Sequence, residues 1–207
     1  MRRAVGLMLV VVVPACGLIA GCGGAPAAKA RQRTSRIPTS LLAGVRPIGR
    51  GPRFQPPVKG PVTRACAARL GEREQAHVEL FGADRVVLLA AGIGTRGPRR
   101  LVDGRLQRAA CFGGLVTLDP TGTVYFRPGA RATIGELFAA WGQPLTPTRI
   151  ASFSGGRVHV YVNGLLRHGS PRSVPLTSGA EIVLEVGPHV PPHTHFTFPQ
   201  LPSGRLR

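Results

Sequence analysis

The chain is short of negative charge. It has only nine acidic residues, and none of them precedes Glu72. Lysine is nearly absent too, occurring only at Lys29 and Lys59, so arginine carries almost all of the positive charge. A GC-rich genome produces the same preference, so the choice of arginine is not itself a functional signal. Aromatic residues make up 5% of the chain, and Phe54 is the only one between Cys22 and Gly71. That leaves the most basic segment with little to stack on nucleic-acid bases, although a net charge of +18 would otherwise invite such a partner. No Gly-x-Ser-x-Gly elbow or His-Glu-x-x-His pair occurs, and the cysteines have no Cys-x-x-Cys context. The pair Gly92-x-Gly94 opens a loop rather than a helix, so it builds no phosphate cradle. These gaps argue against an enzyme.

A long apolar run is also missing. Val5 to Ala20 is apolar but short, interrupted by Pro14 and soon followed by polar sequence. With Arg2 and Arg3 ahead of it, the run reads as a leader. It ends in Ile19-Ala20-Gly21-Cys22, which resembles the lipobox of bacterial lipoproteins. The resemblance implies a signal peptide over residues 1–21, lipid on the Cys22 thiol and attachment to the extracytoplasmic face of the cell membrane. Ordinary signal cleavage and an uncleaved anchor are the alternatives.

Charge then divides the mature chain. Ten basic residues and no acid lie between Cys22 and Gly71, whereas fifteen arginines and all nine acids follow. Residues 22–71 are also broken by Ile37-Pro38, Arg46-Pro47, Gly51-Pro52 and Gln55-Pro56-Pro57. They read as a disordered Pro/Arg-rich linker, with a short helix over 63–71 bearing Cys66. Beside a lipid anchor, such a segment attracts anionic lipid or an acidic wall polymer, each cation contributing about 1 kcal/mol near a charged surface. Nucleic acid is not an expected partner in that compartment; an unknown protein partner is.

Residues 72–187 read as an α+β domain, a small mixed sheet with one packed helix. Ala76–Phe81 and Arg85–Ala91 flank a tight turn, and 92–106 reads as a surface loop. Asp119-Pro120-Thr121-Gly122 joins a second hairpin, with Asp119 as a turn former. Thr133 and Glu136 form a capping box for a helix whose Ile134, Leu137, Phe138 and Trp141 share one face. Val158, Val160 and Val162 alternate up to Asn163-Gly164, a type I′ signal. In the last strand, Ile182, Leu184 and Val186 point inward while Glu181 and Glu185 point out.

The stretch from Thr133 to Gly187 resembles part of a ubiquitin-like β-grasp: a helix, a strand ending in Asn163-Gly164, a crossover over 171–176 and a Gly-x-Glu-Ile closing strand. Sulfur carriers of that fold end in Gly-Gly, whereas this chain runs on past Gly187, so carrier chemistry is not implied. From His77 to Pro199 the chain also resembles a family of uncharacterised exported proteins of GC-rich bacteria, through Ala91–Gly94, Trp141–Leu145 and Val162–Gly164. Relatives carry a histidine-rich set of which His77 and Asp119 remain here. The resemblance implies that a metal site built on that set is lost.

Two readings of chemistry remain. In an oxidising compartment Cys66 and Cys111 are expected to form a disulfide, with two unpaired thiols as the alternative. The 188–207 tail is Pro- and His-rich. Its His189, His193 and His195 are candidate ligands for Zn or Cu, with His77 as a further one; an incidental polar tail is the alternative. His159 and His168 read as solvent-facing. The leading expectation is a non-enzymatic, membrane-anchored interaction or envelope-associated module, with no cofactor otherwise. Transition-metal binding through the tail is the alternative.

Overall fold

In the computed structural model, residues 46–62 and 65–200 are described. The leader, Cys22 and the linker through residue 45 lie outside them. Among the described residues no helix is long and apolar enough to cross a membrane.

The chain folds as a mixed α+β domain. Its strands are β1 (Glu74–Gly82), β2 (Arg85–Val86), β3 (Thr95–Arg96), β4 (Arg100–Val102), β5 (Arg105–Arg108), β6 (Cys111–Phe112), β7 (Leu115–Thr117) and β8 (Thr123–Phe126). Helix α1 (Ile134–Trp141) follows, then β9 (Leu145–Thr146), β10 (Arg149–Ile150), β11 (Phe153–Ser154), β12 (His159–Val162), β13 (Leu165–Arg167) and β14 (Glu181–Val186). The main sheet runs β13-β12-β14-β1-β8-β7, with β2 paired to β1. Only β1 and β14 are parallel within that order, and their register sets His77 beside Glu181.

One face of this sheet is the main core. Ala76, Val78, Leu80, Val124, Phe126, Ile182 and Leu184 pack against Ile134, Leu137, Phe138 and Trp141 of α1. The helix forms as its sequence dictates. The Thr133 hydroxyl accepts from the Glu136 amide, the Glu136 carboxylate accepts from the Thr133 amide, and Gly142 closes the helix in the left-handed region at φ 74°. A Cβ at position 142 would also strike the backbone of Lys59 and Gly60. Eight residues hold as a helix because this face is buried.

The opposite face is covered in two parts. Toward β7 and β8, an inserted lobe over 95–119 and the segment before β1 form a small core of Leu70, Leu106, Phe112, Val116, Leu118 and Tyr125. The Cys66–Cys111 disulfide ties this lobe down, with Cα atoms 5.5 Å apart and the cysteines 45 positions apart in sequence. The buried Arg73 helps. Its Nε donates to the Leu70 carbonyl and its Nη1 to the carbonyls of Gly113 and Gly114. Burial, then the nearby Arg127 charge, lower its pKa to about 10. Toward β14, the C-terminal segment lies on the sheet, with Val190 against Phe81 and Val183.

Four expectations give way. The basic linker does not stay free of the domain through residue 71, because from residue 46 it straps onto it as irregular chain. Ile48 pairs with Val86, Phe54 meets Phe153 at 4.7 Å between ring centroids, and Pro56 accepts from the Trp141 indole at 3.1 Å. A buried indole N–H needs an acceptor, and prolines that forbid helix leave an extended chain free to supply one. Residues 65–71 are not helical; Ala67 instead pairs with Phe112. The arginine-rich stretch 92–106 holds short strands and buries Ile93. Glu181 and Glu185 lie on the face opposite Ile182 and Leu184, yet both are 1% exposed, because the C-terminal segment covers that face.

Candidate functional site

Glycine and aspartate build the floor of the site. Asp119 Oδ1 accepts from the Thr121 amide at 3.3 Å and from the Thr121 hydroxyl, while Arg105 donates to its Oδ2 at 3.0 Å. Asp119 thus forms the turn its sequence suggests, and that turn aims the Thr121 carbonyl at β1. Gly122 has φ 89°, and a Cβ there would meet the Val78 carbonyl at 2.6 Å and His77 Nε2 at 2.8 Å. Only glycine allows so close an approach.

His77 is the centre of the site and is 4% exposed. Its Nε2 lies 2.7 Å from the Thr121 carbonyl, which can only accept, so Nε2 carries a hydrogen. Its Nδ1 lies 2.8 and 3.0 Å from the two carboxylate oxygens of Glu181. Phe196 of the C-terminal segment stacks on the ring at 3.6 Å with the planes 2° apart. Burial opposes charge on His77. The hydrogen bond and charge of Glu181, the Thr121 carbonyl and the Glu79 charge outweigh it, and the imidazole pKa is raised.

Glu79 follows His77 by two residues on β1, which puts it on the same face. One ligand atom each from His77, Glu79 and Glu181 lie within 4.8 Å of one another. A cavity of about 240 Å³, lined by His77, Glu79, Thr121, Gly122 and Phe196 among others, opens beside them.

The three tail histidines do not meet. His193 lies 2.8 Å from a Glu79 oxygen, His189 lies 2.8 Å from Glu185, and His195 bonds the neighbouring Thr194. The tail is extended around Pro191-Pro192, so His189 and His193 reach different carboxylates along the sheet. Glu185 is a second buried node. It accepts from the Val190 amide at 2.8 Å and the Tyr161 hydroxyl at 3.2 Å, and His159 approaches to 3.5 Å. Burial, and then Glu185, raise the Tyr161 pKa. Sequence reasoning set His77 beside the tail histidines as a further candidate ligand and missed both glutamates. The available signal was a His-x-Glu on one strand and a glutamate opening a parallel neighbour.

A different surface surrounds the β4–β5 hairpin. Arg69, Arg99, Arg100 and Arg108 line a cleft of about 680 Å³ with no acidic residue in its wall. Among the described residues, none of the four makes an ion pair. Leu101 and Val102 of the hairpin are 48% and 40% exposed, and Asp103 sits at its tip.

No protein-family model, curated protein or solved structure matches this chain.

Proposed function

We propose that this chain is an exported, lipid-anchored, non-enzymatic envelope protein whose folded domain rests on an anionic lipid surface. The observation that carries the reading is the β4–β5 hairpin. It presents Leu101 and Val102 to solvent among Arg99, Arg100 and Arg108, none of them ion-paired. Exposed aliphatic side chains inside a cationic ring suit the boundary between headgroups and acyl chains. The carbons enter the apolar layer while the guanidinium groups stay with the phosphates.

The basic segment after Cys22 supports the same reading. A single acyl chain gives only marginal binding, so charge and exposed carbon reinforce it. Strand order supports the β-grasp-like reading of the domain. The series β8-β1-β14-β12-β13, with its parallel β1–β14 pair and the helix between β8 and β12, matches a β-grasp sheet interrupted by an insertion over 83–122.

The test has two arms. Growth with radioactive fatty acid should label the wild-type chain and leave Cys22→Ala unlabelled. An unlabelled wild type would overturn the anchor. Sedimentation of the Cys22→Ala chain with vesicles should show binding to phosphatidylglycerol but not to phosphatidylcholine. The binding should weaken as salt rises and fall at least ~10-fold in Arg100→Glu/Leu101→Glu, since the charge reversal removes about 1 kcal/mol and replaces it with repulsion while the second change puts a carboxylate where an apolar side chain was. Equal binding by that variant, or capture by isolated wall polymer but not by vesicles, would overturn the lipid surface.

A further inference from the structure

We propose that His77, Glu79 and Glu181 form a binding site for a divalent first-row transition metal ion, with zinc as the probe. The site comes from neighbouring parallel strands rather than from the tail. His77 and Glu79 share a face of β1, and the β1–β14 register brings Glu181 to the same place.

The donors are oriented as a metal requires. A ligating histidine ordinarily gives its second ring N–H to a carbonyl or carboxylate, which fixes the tautomer and aims the other nitrogen. Here the Thr121 carbonyl holds Nε2–H at 2.7 Å, Nδ1 faces Glu181 at 2.8 Å, and the Glu79 carboxylate belongs to the same cluster. Metal binding replaces the proton on Nδ1, which leaves to solvent. The set is one imidazole nitrogen and two carboxylates, which suits zinc and its neighbours and lacks the soft sulfur that selects copper(I). Bond lengths of about 2.0–2.2 Å ask three atoms now within 4.8 Å to close by about 1 Å.

Charge points the same way. Glu79 and Glu181 bring two carboxylates to one imidazole, and the half-exposed His193 also reaches Glu79 at 2.8 Å. A dication bound by a neutral imidazole cancels both carboxylates. The cavity beside His77 and Glu79 gives an ion a way in. Phe196 closes one side of the imidazole, so the ring cannot swing out toward solvent on that side.

The test is calorimetric titration of the chelator-treated full chain with Zn²⁺, alongside the visible spectrum with Co²⁺. One zinc per chain and d–d absorption bands of bound cobalt are expected. Glu79→Gln should bind at least ~10-fold more weakly while the metal-free protein melts as before. His189→Ala/His195→Ala should bind as wild type does. No zinc uptake by the wild type, unchanged affinity in Glu79→Gln, or loss of binding in the His189→Ala/His195→Ala chain would each overturn the site. If Glu79→Gln fails to fold, the wild-type cobalt spectrum decides, and absent bands overturn it.

Discussion

The two faces of the main sheet are buried by different means. The α1 face is carbon against carbon: Val78, Leu80, Phe126, Ile182 and Leu184 meet Phe138 and Trp141 with no charged group between them. The opposite face carries His77, Glu79, Glu181 and Glu185, and it closes only because an insertion and a tail are laid over it. The first face is ordinary hydrophobic packing, for which any apolar set of similar volume would serve. On the second, each buried charge must find a specific partner, because an unpaired one costs several kcal/mol. Stability therefore belongs mainly to the helix face, and chemistry to the other.

That contrast can be broken at several points. Trp141→Ala removes the largest buried side chain and the bond to the Pro56 carbonyl that straps the N-terminal segment. A loss of about 4 kcal/mol in denaturant unfolding is expected. A loss below about 1 kcal/mol would mean that the helix face is not the dominant core. Replacing both cysteines of the Cys66–Cys111 bridge should cost about 3 kcal/mol, chiefly by releasing the unfolded chain. Hydrogen exchange should then rise in β3 to β6 before it rises in α1; a uniform increase would deny the lobe its separate status. Phe196→Ala should be the mildest, about 1 kcal/mol, because it removes a ring that lies on His77 at the edge of the fold. Faster proteolysis of the segment beyond Gly187, with the core unchanged, is the result to look for.

The helix face was legible because its signals are local. The capping box at Thr133, the four apolar residues of α1 and the alternation in β12 and β14 each follow from spacing along a few residues. The turn at Asn163-Gly164 was equally plain, and both residues adopt positive φ. The second face was not legible in that way. Alternation placed Glu181 and Glu185 opposite the core, but nothing within six residues says that a tail returns to cover them. The histidines of that tail read as one cluster because they are close in sequence, yet an extended chain spreads them over three partners. His77 was not joined to its glutamates because they lie two residues along one strand and over a hundred residues away on another.

Composition and short-range pattern alone determined the class of fold, the helix and its caps, the hairpin turns and the charge division at Glu72, since each depends on neighbours a few bonds apart. Tertiary structure decided which side chains meet. It strapped residues 46–62 across Trp141 and set His77 against Glu181, because long-range register and burial, which no local spacing encodes, choose the partners of a buried polar group.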